Sequence, residues 1–248
     1  MRLFMHQLRA EQLLFWRSRE AAFFIFIFPL ILFVLLASVY TGTYLGRPAA
    51  WSVFAGLVAY GGANTGFAGL ALLLIGRREL GILKRIRSTP LPSATYLAAA
   101  LTSMVLVFAL QVVVLWVLGK LLKDIPFPHR LGSFVLTTLL GCAAFAGLGL
   151  AATALIRSLE GSSGAINAVL LPMAFLSGGF GPTQHYPRVL QAIGDVLPLK
   201  YFVQLLYTAY LRERSVWTRP GAIAVLLAWG LVGALIAARR FRWEPVEG

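Results

Sequence analysis

The sequence predicts an all-α, polytopic membrane protein with six transmembrane helices, and three observations predict it. Charged residues make up 12% of the 248, about half the roughly 25% of a soluble domain. Hydrophobic residues make up 59%, and the mean hydropathy is +0.80. The few charges leave six uncharged runs, 21–46, 48–76, 88–119, 131–156, 161–187 and 220–238. A spanning helix needs about 20 apolar residues at about 1.5 Å rise each, so five runs have length to spare and the last just suffices.

The same composition removes other classes. A transmembrane barrel alternates polar and apolar residues over segments of roughly ten, whereas Phe23 to Leu36 is continuously apolar. A disulfide scaffold needs several cysteines, and Cys142 stands alone. The net charge of +13 does not mark a nucleic-acid binder, because Lys and Arg crowd the ends of the apolar runs and form no basic patch on a soluble domain. At those ends they set topology and meet anionic lipid headgroups.

Residues 1–20 come first, with Arg2, Arg9, Arg17 and Arg19 among apolar residues. Phe4, Leu8 and Phe15 recur at spacings that suit a helix lying in the membrane interface. This stretch is too charged for the apolar core of a cleavable signal, so the first span serves as an uncleaved anchor. Thirteen of the 22 Lys and Arg then fall on one side of a six-span topology: four in 1–20, five in 77–87, Arg157, and three in 239–242. That bias puts both termini in the cytoplasm. Gly62 and Gly66, with Ala143 and Gly147, are small enough to let helices approach closely.

The fifth run is irregular. It carries Pro172 at mid-length and then Ser177-Gly178-Gly179-Phe180-Gly181-Pro182, which a straight helix does not tolerate. Pro187 can open a new short helix with Val189, Leu190, Ile193 and Leu197 on one face, until Pro198 ends it. The expected form is a re-entrant hairpin over 172–197 near the outer surface, with a plain outer loop as the simpler alternative. Residues 199–211 read as an amphipathic helix at the outer interface. Pro220 starts the last span, and Arg239, Arg240 and Arg242 stop it. No soluble domain or internal repeat interrupts the chain, so 1–248 reads as one membrane domain.

The chemistry that is missing narrows function. His6, His129 and His185 sit in no H-E-x-x-H pattern, and there is no G-x-S-x-G, so an intramembrane hydrolase is not indicated. The six runs hold no Asp, Glu, Lys or Arg, the residues that usually mark a proton- or ion-coupling site at depth. Asn64, Thr65, Gln111 and Asn167 could contribute to a sodium site at a broken helix, or could act as interhelical hydrogen-bonding groups. No G-x-x-x-x-G-K-[ST] phosphate loop is present, so an ATPase would have to be a separate polypeptide.

The loop after the second run reads Arg77-Arg78-Glu79-Leu80-Gly81-Ile82-Leu83-Lys84-Arg85-Ile86-Arg87-Ser88-Thr89-Pro90-Leu91-Pro92. As one helix over 77–91 it would align Leu80, Leu83 and Ile86 along one side, with Pro90 stopping it. Such a helix could seat in a groove on a cytoplasmic partner, its basic residues meeting acids there or lipid phosphates.

The stretch from Glu79 through Pro92 resembles the E-x-G-x-L-K-R-L-R-x-T-P-L-P segment of type-2 ATP-binding-cassette (ABC) exporter permeases, especially the daunorubicin-resistance-like drug-export branch. Arg17-Ser-Arg-Glu before a Phe-rich span, the Phe175 to Pro182 break, and Val196-Leu197-Pro198 follow in family order. Arg78 departs from the pattern, since relatives often carry a second acid there, and this would change charge matching with a partner. The resemblance implies a permease pairing with a second copy or paralogue and with two cytoplasmic ATPase subunits that bind ATP and Mg, this chain holding no cofactor itself. It implies an ATPase-coupling role for Glu79, Gly81, Leu83, Lys84, Arg85, Arg87 and Pro90. It also implies an outer gate at Pro172, Gly178, Gly179, Phe180, Pro182 and Pro198. The implied activity is export of a hydrophobic or amphipathic small molecule from a bacterial inner membrane, with a polysaccharide or glycolipid exporter and an ion-coupled carrier as the alternatives.

Overall fold

The computed structural model describes residues 2–19, 23–156, 158–181, 183–184 and 186–241, the side chain of Phe24 excepted. Pro182, one of the expected gate residues, lies outside them, as do Arg157, His185 and Arg242.

The described chain is almost entirely helical. Helix α1 (Arg2–Arg17) leads to a π-helical turn (Phe23–Ile27) and α2 (Phe28–Val39), with Pro29 in its first turn, where a missing N–H costs nothing. A two-residue hairpin follows, β1 (Thr43–Tyr44) against β2 (Arg47–Pro48), with Tyr44 opposite Arg47. Its turn residues Leu45 and Gly46 both have positive φ, 52° and 76°, the backbone a two-residue turn demands. Nothing in the hydropathy pattern announced this hairpin.

Helix α3 (Ala49–Ala63), a π-helical turn (Asn64–Gly69) and α4 (Leu70–Glu79) then run on as one 31-residue span. The short α5 (Ile82–Arg87), α6 (Ser93–Lys123), α7 (Leu131–Leu155) and α8 (Ser162–Leu176) come next. The chain ends with α9 (Arg188–Val196), α10 (Pro198–Tyr210) and α11 (Pro220–Arg240).

Among the described residues four helices are long and apolar enough to cross a membrane: Ala49–Glu79, Ser93–Lys123, Leu131–Leu155 and Pro220–Arg240. The first and fifth uncharged runs form shorter apolar helices, Ile25–Val39 and Ser162–Leu176. At about 1.5 Å per residue, each is less than the roughly 30 Å of a hydrocarbon core.

The α3–α4 span is the centre of the bundle, and small residues allow its neighbours to close on it. A Cβ at Gly66 would lie 2.9 Å from the Cys142 carbonyl oxygen on α7, and one at Gly149 would lie 2.4 Å from the Gly66 carbonyl oxygen. Gly147 packs in the same way on α11, where its Cβ would reach within 2.3 Å of the Gly230 oxygen. Gly66 and Gly147 thus meet neighbouring helices within the chain. Ala143 instead faces outward, and its neighbour Ala144 is the residue that meets Gly230.

Helix α10 packs into the bundle. Nearly all of it is buried, and Phe202 drives its ring into a gap where Cβ atoms at Gly141 and Gly62 would come within 2.2 and 2.9 Å. The expected hairpin at 172–197 therefore has a different division. Helix α8 stops at Leu176, α9 exposes Val189, Ile193 and Val196, and the chain bends 88° between α9 and α10, so that α10 is the arm that enters the bundle. Trp229 on α11 holds this corner by donating to the Val196 carbonyl at 3.2 Å.

Helix α1, the loop 80–92, the α7–α8 connection and Phe241 gather at one end of the bundle. A second small core of Leu70, Leu74, Leu83 and Tyr96, with Ile86, Leu91 and Phe241 packed on it, sits there.

Candidate functional site at the basic end

The loop that resembles a coupling segment begins where α4 ends. Leu80 N–H bonds to the Gly76 carbonyl and Gly81 N–H to that of Arg78, both at 3.0 Å, and Gly81 takes φ 68°. A left-handed residue closing a helix is glycine's usual place, since any Cβ would be strained there. This turn separates Leu80 from the register of α5. The continuous helix expected over 77–91 is instead the end of α4 followed by the six-residue α5, and Leu80 is exposed while Leu83 is fully buried against Leu74 and Tyr96.

With Leu83 as anchor, Lys84, Arg85 and Arg87 all point to solvent. Ser88 and Thr89 end the helix by donating from their hydroxyls to the carbonyls of Arg85 and Ile86 at 2.8 and 2.7 Å, just before the exposed Pro90.

The residues flanking this exposed turn fasten it to three other elements. Arg77 makes a bidentate pair with Glu11 on α1, at 2.7 and 2.8 Å, with only 11% and 4% of the two side chains exposed. Gln7 donates to the same carboxylate at 2.7 Å, and Arg77 also donates to the Tyr96 hydroxyl and lies over its ring. One residue on, Arg78 is wholly buried and donates to the carbonyls of Thr153 and Ile156 at 2.7 and 2.6 Å, the open C-terminal end of α7. A cation there also meets the negative pole of the helix dipole. Glu79 turns to the α7–α8 connection and accepts the Leu159 N–H.

Two sequence readings change here. Arg78 is not presented to a partner; its charge is spent inside the chain. Glu11, Arg77 and Tyr96 were not singled out from the sequence, although a lone acid on an otherwise basic α1 was the signal that could have found them.

At the opposite end, the Gly-rich break closes over α3. Gly178 and Gly181 have φ of 82° and 149°, and Phe180 is buried with its ring 4.8 Å from both Tyr60 and Phe175. A Cβ at Gly56 would come within 2.6 Å of the Gly179 oxygen, and one at Gly181 within 2.6 Å of the Tyr40 ring. Pro172 lies inside α8, and Pro198 is the first residue of α10, buried. Asn167 bonds back to Ser163 on its own helix, and the Gln111 amide lies against Gly61, so these two polar groups do not converge on one site.

The sequence model of the ABC-2 type transporter family matches residues 2–211. The inner membrane transport permease YhhJ of Escherichia coli is 30% identical over 175 residues, 68% of this chain and 46% of YhhJ. YvfS of Bacillus subtilis, named as a transport permease, is 29% identical over 136 residues, 54% of each. YbhR of Escherichia coli, named as a multidrug ABC transporter permease, is 23% identical over 161 residues, 64% of this chain and 44% of YbhR. These matches span about half the length of the curated relatives. With the family match running through α1, the 80–92 loop and the Gly-rich break, the chain belongs to the ABC-2 type transporter family.

Proposed function

We propose that this chain is the membrane-spanning permease of an ATP-driven exporter. Two copies, or this chain and a paralogue, work with two cytoplasmic ATPase subunits that supply ATP and Mg chemistry from outside the membrane. The observation that carries this reading is the arrangement around α5. A short helix presents Lys84, Arg85 and Arg87 outward, while the residues just before it grip α1, α7 and the α7–α8 connection. A push on α5 therefore loads three elements together, as an external motor requires. In the six-span reading this end, with both termini, faces the cytoplasm of a bacterial inner membrane, and the 178–182 break closes the outer end of the path.

The substrate in this reading is a hydrophobic or amphipathic small molecule moved outward. The support is the uncharged apolar character of the spans and the multidrug name carried by YbhR.

Co-purification with an ATPase encoded beside this chain tests the reading. Arg85→Glu, which touches no internal contact, is expected to lower ATPase stimulation at least tenfold with unchanged membrane insertion. Full stimulation in that variant would refute α5 as the coupling element. Cysteines placed at Arg188 and Arg85 should label from opposite sides of intact cells, Arg188→Cys from outside; labelling of Arg85→Cys from outside would overturn the orientation.

A further inference from the structure

At the end opposite the coupling loop, a cavity of about 210 Å³ opens between the hairpin β1–β2, the Gly-rich break and α10. Lys200, Arg212 and Arg219 line it, and no Asp or Glu among the described residues does. Lys200 is matched by Asp195 at 2.5 Å, but Arg212 and Arg219 form no ion pair among the described residues. Glu213, next to Arg212 in the chain, is already taken by Arg47 at 2.7 Å. Arg212 and Arg219 are exposed, so the mouth of the cavity carries positive charge that no acid among the described residues pairs.

Its polar lining consists of groups that can donate. Ser177 is 4% exposed, and its hydroxyl has no hydrogen-bond partner. This hydroxyl is sealed behind the wall, so the ligand-facing donors are those of the surrounding side chains. Thr183 and Gln204 add two more donors on the same wall. Burial raises the Tyr44 hydroxyl above the usual tyrosine range while the charge of Arg212 pulls it down, which places that charge beside the cavity wall. Gly178 and Gly181, with their left-handed φ, hold the floor in a shape that other residues would strain.

We propose that this cavity is a binding site for a phosphate group. Two unpaired guanidinium forks suit a tetrahedral oxyanion better than a cation or a neutral solute. The volume lies below the ~300 Å³ at which drug-sized pockets begin, so the group bound is a headgroup or a small anion and not a whole drug. The phosphate can come from a phospholipid headgroup or from free phosphate. This assignment is independent of ATPase coupling at the other end.

The test uses the purified full chain in maltoside micelles, which contain no phosphate. Thermal unfolding is followed against inorganic phosphate, and separately against short-chain phosphatidylglycerol, at constant ionic strength. Wild type should show a saturable rise in Tm with at least one probe, and R212A/R219A should weaken that apparent affinity at least tenfold. R212K/R219K, which keeps charge but loses the forks, should fall between, and Arg188→Ala, outside the cavity, should behave as wild type. A response to phosphatidylglycerol alone identifies the lipid source, and a response to inorganic phosphate identifies the free anion; either supports the site. No response of wild type to either probe, or an equal response in R212A/R219A, overturns it.

Discussion

The two ends of the bundle use charge in different ways. At the end of the 80–92 loop, Glu11 and Arg78 are buried and Arg77 nearly so, each bonded to a different element from its own. At the other end Arg47 and Glu213 pair at 2.7 Å with 40% and 33% exposure, and Lys120 pairs with Asp124 one turn along the chain in the open. Coulomb attraction between exposed groups is screened by water and salt, whereas a buried, hydrogen-bonded charge cannot leave its partner without stranding it. The first end is thus held firmly, and the second can be rearranged cheaply.

The contrast can be broken most severely at Glu11. Glu11→Ala strands Arg77 in a buried site and should cost about 3 kcal/mol, read as a fall in Tm of the detergent-purified chain. Exchanging the pair, Glu11→Arg with Arg77→Glu, should recover part of the loss; no recovery would show that the pair does not act as a unit. Arg78→Met should cost about 2 kcal/mol, since the α7 carbonyls lose charged donors but the alkyl stem is kept, with α7's last turn exchanging its amides faster by hydrogen exchange.

Glu213→Gln, at the other end, should change stability by less than about 1 kcal/mol and only at low salt. Lys120→Met should have the smallest effect, within about 0.5 kcal/mol, checked by the same melting curves. If these last two variants destabilise as much as Glu11→Ala, the division between the ends fails.

The long spans were legible because lipid demands continuous apolar stretches, and hydropathy alone locates them. The 77–92 loop stood out through its motif, but its shape did not. Gly81 in the left-handed region ends one helix and starts another, and a glycine within an amphipathic pattern does not announce which conformation it will take.

The burial of α10 was hidden for a different reason. Its amphipathic pattern looks like a helix lying between water and lipid, yet Lys200, Gln204 and Thr208 face a cavity and Phe202, Leu205 and Leu206 face the core. A polar stripe says that something polar lies beside it, not that bulk water does. The α1 clamp was hidden because Glu11 and Arg77 are 66 residues apart, a pairing that only the packing of α1 across the end of the bundle brings about.

The π-helical turn at Asn64–Gly69 sets where this chain can change length. A loosened turn of that kind holds one residue more than the regular winding it interrupts. Deleting a single residue there would restore ordinary winding and leave both flanks facing as before, so Arg77 and Arg78 would still reach their acceptors. The same deletion within Ala49–Ala63 would swing everything beyond it by about 100° and turn both arginines away from Glu11 and α7. The middle of the central span is therefore the place where the chain could be shortened without uncoupling its two ends.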